Sequence, residues 1–581
     1  MIGREQEKRE LLELYNSNES EFCAIYGRRR VGKTYLVKSV FNSRFTFYHS
    51  GLANTSKAEQ LDEFRESLRK AGMKKVKMPR TWRDAFHLLE DLLEKSTDKR
   101  KVVFIDELPW LDTPKSHFIS AFEHFWNGWA TMRDDIVLII CGSATSWIIN
   151  NILKNRGGLH NRLTHQIHLQ PFSLYECEKY MQSHNISLPL NDLAETYMVL
   201  GGIPYYWHYI KRGMSIAQNI DKLFFAQDAP LRNEYDELYH SLFDKPQAYI
   251  KVVEALAKTK KGLHREEILS ATGALDNETF QRVLRELEQC GFVRKYVMMG
   301  RKTKDSVYQL IDNFTLFYHS FLSNSTHNEH YWSSNLQSAK HHAWAGLAFE
   351  RLCLWHLPQI KNALGISGID VAAYSWTYKM NKGNDFQIDL LLDRKDNIIN
   401  ICEMKFTKSF YEVDKAEYEK LTERISRFQK ASKTSKAVHL ILVTTQGLSD
   451  NKYQYVYQNV ITLPQLVTPP TTTAGTTTGT TTETTAGTTT ETTAGTTTET
   501  TTETTTETTT ETTIVLNNKT TKKILKLIAE SPDIKIVELQ RKSGLSYEGV
   551  RYHLKKLKDA GIIMRVGNST IGYWKILKNA R

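Results

Sequence analysis

The segment Gly27-Arg28-Arg29-Arg30-Val31-Gly32-Lys33-Thr34 satisfies GxxxxGK[ST] in full. It follows an apolar run, Phe22–Tyr26, and leads into a helical run starting at Tyr35, the context such a loop requires. The glycines let the backbone curl so that successive N–H groups face a phosphate chain. Lys33 then reaches the β/γ-phosphates and the Thr34 hydroxyl ligates Mg²⁺, which makes ATP with Mg²⁺ the expected cofactor.

A second apolar run, Lys101-Val-Val-Phe-Ile, ends in Asp106-Glu107. Asp106 suits the Mg²⁺ shell, and Glu107 suits the base that polarises the attacking water. That pair is the mark of a hydrolase rather than a passive nucleotide binder. A third run, Ile136–Cys141, ends in Gly142-Ser143. Ser143 therefore occupies the position of a polar group near the γ-phosphate.

Beyond residue 340 stand three acids and a lysine. Glu350 lies in an apolar helical run beginning at Trp344, Asp389 in the strand-like run starting at Phe386, and Glu403-Met404-Lys405 ends another such run. A spacing of two puts Glu403 and Lys405 on one face of a strand. A turn over Asp393–Asn397 makes 386–405 a hairpin and brings Asp389 alongside. Carboxylates so placed can hold a divalent cation, while Lys405 orients or deprotonates water.

Charge singles out the C-terminal end. Residues 514–581 carry eleven Lys and four Arg against five acids, a net +10 of the chain's +12. That is the electrostatic footprint of a nucleic-acid partner. Lys522–Glu530 and Ile536–Gly544 read as two helices, and Ser546 caps a third. Leu539, Leu545, Val550, Leu554 and Leu557 form its apolar seam, which turns Tyr547, Arg551, Tyr552 and Lys555 outward. A hairpin over 561–575 carries Arg565 and Lys575. A third helix of this kind fits the major groove, with the hairpin on phosphates.

The remaining sequence must position these groups. At 581 residues, 40% hydrophobic and 24% charged, the chain has apolar material for several cores, which excludes disorder as its main state. No run of about 18 apolar residues is present, so no membrane-spanning helix is expected. Met1–Lys8 has no secretory apolar stretch, and the six scattered cysteines contain no CxxC. A cytoplasmic protein with buried thiols is expected. Apolar strands alternate with helical segments, the signature of a parallel α/β sheet. Thr468–Thr513 contains 31 Thr among its 46 residues and no large apolar side chain, so it reads as a flexible, mildly acidic tether. Three helices over 246–290 and a β pair over 293–310 form a second helix–helix–helix–wing pattern of mixed charge.

Residues 1–240 resemble the archaeal-type ATPase branch of the AAA+ class. The resemblance rests on Ile2-Gly3-Arg4-Glu5, GRRRVGKT, FIDELPWL over 104–111, Gly142-Ser143 and Gly201-Gly202-Ile203-Pro204. It implies an adenine pocket near Ile2–Glu5, a helical lid after Pro171, and assembly into a homo-oligomer. It also implies an arginine finger, Arg162 or its rival Arg156, that neutralises transition-state charge, often across a subunit boundary. The acids Glu350, Asp389 and Glu403 with Lys405 resemble the E…D…ExK pattern of the PD-(D/E)XK nuclease fold. The segment 514–581 resembles transcription-factor-type winged helices.

The expected architecture is therefore multidomain α/β: a P-loop core over 1–172 and a helical lid over 173–242, followed by a winged helix over 243–312. A nuclease-like domain over 313–467, the tether over 468–513 and a DNA-binding winged helix over 514–581 complete it. Three functional readings stay open at this level. One is an ATP-driven switch on DNA with a nuclease or nuclease-like effector. Another is a non-nuclease regulator, and the third is a signalling or defence ATPase acting through protein partners.

Overall fold

The computed structural model describes residues 2–154, 157–159, 161–243, 245–301, 305–323, 328–378, 386–469, 519–532, 534, 536–545, 550, 553–554, 557–558, 563–566 and 573–576. The chain divides into two compact units, Met1–Thr476 and Thr477–Arg581. Nearly all of the Thr-rich tether, residues 470–513, lies outside the described residues.

The N-terminal part is built on five parallel strands: β1 (Glu21–Tyr26), β2 (Phe47–Ser50), β3 (Lys101–Asp106), β4 (Ile136–Gly142) and β5 (His165–His168). Their order across the sheet is β2-β3-β4-β1-β5. The three unbroken apolar runs become the central strands because both faces are covered. Cys23, Ile25, Phe104 and Ile139 enter one core, while Phe22, Ala24, Val103 and Leu138 enter the other. The strand β2 has no strong sequence signal, and its pairing with β3 fixes it. The second core is closed by helices Lys57–Lys70, Trp82–Lys95 and Phe118–Gly128. Ser56 with Glu59 and Thr81 with Asp84 start the first two as capping boxes.

The segment expected to form a helical lid opens with helix Leu174–Ser183, capped by Ser173 and Glu176. A backbone crossing pins it to the core. The Phe172 N–H donates to the Gly202 carbonyl at 2.6 Å, and a Cβ on Gly202 would lie 1.9 Å from the Phe172 oxygen. Gly202 therefore admits no side chain, which gives the Gly201-Gly202-Ile203-Pro204 signature a steric reason.

The segment 246–310 folds as three helices, Pro246–Ala257, Arg265–Thr272 and Glu278–Gln289, against β6 (Leu263–His264), β7 (Val293–Tyr296) and β8 (Val307–Leu310) in the order β6-β8-β7. Three helices followed by a β pair is the order read from the sequence, with β6 added at the edge of the pair. The domain boundary expected at 313 is crossed by packing. Helix Asn313–Phe317 and the turn after it sit in the lid: the Tyr318 ring stacks on Tyr235 at 3.9 Å, and the Trp332 N–H donates to Asp221 at 2.8 Å. Burying aromatic area outweighs chain continuity here.

Residues 339–467 form a mixed sheet, β13-β12-β11-β10-β9. Its strands are β9 (Val371–Tyr378), β10 (Phe386–Arg394), β11 (Ile398–Lys405), β12 (Ala437–Thr444) and β13 (Asn459–Ile461). The expected hairpin is present, with β10 antiparallel to β11 and Leu390 opposite Cys402. Helix Ala339–Trp355 covers one face and helix Lys415–Ser432 the other.

In the C-terminal unit, helices Lys519–Glu530 and Ile536–Ser543 and the hairpin β14 (Ile563–Val566)/β15 (Tyr573–Ile576) enclose their own core. Leu539, Val550, Leu554 and Leu557 are buried in it with Trp574. The apolar seam read from sequence is thus the seam that packs, with Leu545 half-buried against it. Among the described residues no helix is long and apolar enough to cross a membrane.

Candidate nucleotide site

Gly27 leaves β1 at φ 141°, and a Cβ there would lie 2.3 Å from the Leu169 carbonyl oxygen. Gly32 sits at φ 93° and hands the chain to helix Lys33–Val40. The loop between them is thereby free to curl. Lys33 is 5% exposed, and its ammonium donates to the carbonyls of Gly27 at 2.9 Å and Arg28 at 3.0 Å. Burial pulls its pKa down, and the nearby Cys141, Glu107 and Asp106 counter part of that.

Asp106 ends β3 fully inside the sheet. One of its carboxylate oxygens accepts from the Glu107 N–H at 3.0 Å and from the Cys141 thiol at 2.6 Å. Burial first, then the Asp106 charge, push the Cys141 thiol far above its ordinary value, so it stays protonated and donates. The expectation of cysteines as inert buried hydrophobes holds for burial of all six, while Cys141 also touches the site. Its place two residues before Ser143 was the available signal.

Glu107 has left-handed backbone, φ 48° and ψ 45°. That conformation turns its carboxylate onto Ser143, whose N–H donates at 2.9 Å and whose hydroxyl donates at 2.6 Å to the two oxygens. A cavity of about 880 Å³ opens over Lys33, Thr34, Glu107 and Ser143. Arg29, Arg30, Val31 and Gly32 line it as well, with Ile2 and Arg4 beside them. The Arg4 guanidinium donates to the Gln170 carbonyl at 2.6 Å and lies over the Phe172 ring, tying the N-terminal segment to the far wall. The lid contributes Tyr180, His184, Pro204, Tyr205 and His208 to the same cavity. Of these only Pro204 belongs to a sequence signature, and Tyr180, His184, Tyr205 and His208 are not marked by any local motif.

Two of the loop arginines are committed elsewhere. Arg28 does not line the cavity through its side chain. It turns back to an ion pair with Asp312, over the ring of Phe292, which directly precedes β7, at 4.6 Å. Arg28 therefore meets Lys33 through its backbone carbonyl, while its side chain is directed to Asp312. Arg30 lines the cavity but pairs with Glu234, which also accepts from the Tyr206 hydroxyl at 2.6 Å, and lies over the Tyr205 ring at 4.3 Å. Arg162 is exposed and is not part of the cavity wall. Arg156 lies outside the described residues.

The donor set fits ATP with Mg²⁺: a buried ammonium under a curled loop, a hydroxyl at Thr34, and a buried carboxylate at Asp106.

The second cluster is assembled only in part. Glu350, on helix Ala339–Trp355, senses both Asp389 and Lys405. Burial first, then the Asp389 charge, push its carboxyl up to about 7, against the pull of Arg351. Gln387 donates to Asp389 at 2.7 Å. Glu403 faces the other helix, where Arg424 forms an ion pair with it, and Lys405 stands 3.7 Å away. The expected metal trio Glu350, Asp389 and Glu403 is therefore not met. Among the described residues, no group of three or more His, Cys, Asp or Glu is placed to hold a metal ion. The reason is the arginine: a guanidinium on Glu403 supplies the charge a cation would otherwise bring.

In the C-terminal unit, Lys575 is exposed on β15 opposite Met564, and Arg565 lies opposite Trp574. Tyr547, Arg551, Tyr552 and Lys555 lie outside the described residues.

Residues 1–210 match the ATPase domain described as predominantly from Archaea, and residues 517–564 match the winged helix-turn-helix DNA-binding domain. An uncharacterized protein of Methanocaldococcus jannaschii is 27% identical over 356 residues, covering 60% of this chain and 76% of that protein. Among solved structures, the Walker-type ATPase PABY2304 of Pyrococcus abyssi aligns with TM-score 0.39 at 18% identity, over 54% of this chain and 95% of that one. The ORC2 protein of Aeropyrum pernix, in its ADPNP–ADP complexes, aligns with TM-score 0.33 at 13% identity, over 53% and 90%. The chain thus carries an archaeal-type P-loop ATPase domain at its N-terminal end and a winged helix-turn-helix domain at its C-terminal end.

Proposed function

We propose that the protein is an ATP-hydrolysing switch of AAA+ type that engages DNA through residues 514–581. The observation that carries the reading is the cavity in which Lys33, Thr34, Glu107 and Ser143 converge beneath lid residues from the helix Leu174–Ser183 and the Pro204–His208 turn. Bound Mg²⁺ would neutralise the phosphate charge, with Thr34 and Asp106 as its protein ligands. Lys33 holds the phosphate chain. Glu107, aimed by Ser143, takes the proton of the attacking water. Arg162 stands on the exposed surface, which suits a finger that completes a neighbouring subunit's site rather than its own.

The loop arginines suggest how nucleotide state reaches the rest of the molecule. Arg28 and Arg30 belong to the phosphate loop, yet their partners Asp312 and Glu234 lie after the winged helix and in the lid. A change in loop conformation on binding or hydrolysis pulls directly on both. The test is a nucleotide-binding and turnover assay of the full chain, with and without duplex DNA. Lys33→Ala should lose ATP binding, while Glu107→Gln should bind ATP and fail to hydrolyse it. Unchanged turnover in Glu107→Gln overturns the assignment of the base.

The Arg424–Glu403 pair favours a second reading, in which residues 339–467 are a nuclease-like fold acting as a non-nuclease regulator. DNA incubated with the protein and Mg²⁺ or Mn²⁺ tests whether this fold acts as a nuclease or as a regulator. Cleavage that disappears in Lys405→Ala supports a nuclease, and its absence in the unaltered protein supports the regulator.

A further inference from the structure

Alternation along a strand brings Cys141 and Asp106 together. Asp106 shares the face of β3 that carries Phe104, and Cys141 shares the face of β4 that carries Ile139. Phe104, Ile139 and Cys141 all enter the core into which Leu36 and Val37, from the helix after the phosphate loop, also pack. The strands are adjacent and parallel, with Ile105 beside Ile140, so Asp106 and Cys141 follow as neighbours on one face. Cys141 has no exposed surface. A carboxylate can only accept, so the Cys141 thiol, 2.6 Å from Asp106 Oδ1, is the donor. The Glu107 N–H donates to the same oxygen at 3.0 Å. The Lys33 ammonium is turned to the Gly27 and Arg28 carbonyls instead. Among the described residues, Cys141 is therefore the side chain that donates to Asp106, and both donors converge on Oδ1.

The turn after β3 closes over the end of β4. A Cβ on Gly142 would lie 2.5 Å from the Pro109 ring, so Gly142 leaves the room that Pro109 takes. The residues on either side of Gly142 then meet the two acids in order. Cys141 donates to Asp106, and Ser143 donates to Glu107. One strand end thus orients both carboxylates. A thiol suits the inner position, being a small apolar group for the core that still carries a donor.

We propose that Cys141 is a positioning residue for the metal-binding carboxylate: its thiol holds Asp106 by Oδ1 and leaves Oδ2 for Mg²⁺. The role rests on the reading of the cavity as a site for ATP with Mg²⁺. Without the thiol, Asp106 keeps a single donor, and the cation must itself order the carboxylate that it binds. The loss therefore falls on the contribution of Mg²⁺ and spares the contacts that Lys33 and the phosphate loop make with the nucleotide.

The experiment is calorimetric titration of the full chain with the β,γ-imido analogue of ATP, once in EDTA and once in excess Mg²⁺. The quantity read is the factor by which Mg²⁺ tightens binding. Cys141→Ala should lower that factor about fivefold, the size of one lost hydrogen bond, and leave the affinity in EDTA unchanged. Cys141→Ser keeps a donor and should restore the factor. Cys141→Val keeps apolar volume without a donor; it should lower the factor as alanine does, and serves if the alanine variant does not fold. In an Asp106→Ala background, Cys141→Ala should bring no further fall. Affinity lost equally with and without Mg²⁺, or a factor restored by valine and not by serine, makes Cys141 a packing residue and overturns the proposal. An unaltered chain that binds no analogue in either condition overturns the ATP reading, and this role with it. Analogue binding with the same Mg²⁺ factor in Cys141→Ala as in the unaltered chain overturns this role alone.

Discussion

Ser143 holds Glu107 by both carboxylate oxygens, one through its backbone N–H and one through its hydroxyl. The two residues sit at the ends of adjacent parallel strands, 36 positions apart, and the left-handed backbone at Glu107 is what lets the side chain turn across. Ser143→Ala removes the hydroxyl bond and leaves the backbone bond. The carboxylate then samples other orientations. Turnover should fall about tenfold with ATP affinity unchanged, a fraction of the ~10²–10⁴ a general base supplies. Steady-state kcat and nucleotide Kd measured on the same preparation check this. A drop in affinity without a drop in kcat contradicts it.

Arg162 is expected to act in trans. Mixing Arg162→Ala with Lys33→Ala protein should restore part of the ATPase rate, because some mixed interfaces carry an intact loop and an intact finger. The check is the rate of the mixture in a preparation shown to oligomerise and exchange subunits. No recovery there removes the trans role.

Glu350 predicts a pH effect of defined sign. Its folded pKa, about 7, lies above its ordinary 4.5, so the folded state holds the proton more tightly than the unfolded chain. The stability this contributes is present below pH 4.5 and is lost as pH rises through 7. Glu350→Gln keeps a neutral side chain at every pH. It should flatten the fall in stability between about pH 4.5 and 7, and stabilise the protein at pH 8 by on the order of 2 kcal/mol. Chemical denaturation of both proteins at pH 5 and pH 8 measures it. An equal midpoint difference at the two values sinks the idea.

The tail should act alone. Residues 514–581 carry +10, and the described part encloses its own core. The fragment should fold and bind duplex DNA, with affinity falling steeply in salt as condensed cations return to the phosphates. Lys575→Ala on the exposed face of β15 should weaken all sequences alike and reduce the salt slope by about 1. Arg551→Ala should shift sequence preference by ~1–3 kcal/mol if the residue reaches a base edge. A folded fragment without DNA binding at low salt makes the tail a protein-interaction module.

Local chemistry was legible without coordinates. GRRRVGKT needs only its own backbone and the strand before it, so the expectation for Lys33 and Thr34 could be stated from the motif alone. Strands buried on both faces announce themselves as unbroken apolar runs, which made β1, β3 and β4 readable and left the half-exposed β2 unread. The hairpin that carries Asp389 and Glu403 followed from its turn, and the tail's apolar seam from its helical spacing. Long-range electrostatics and packing had no such signature. Nothing near Glu403 in sequence marks Arg424 as its partner, and nothing in the phosphate loop says that Arg28 turns to Asp312, 284 residues on. The aromatic residues after 313 pack into the lid because burial follows free energy, not chain order. A motif fixes which groups are present and which face of an element they share. Only the closed fold decides which charges meet, because an ion pair costs nothing to encode locally and forms wherever folding brings its two halves together.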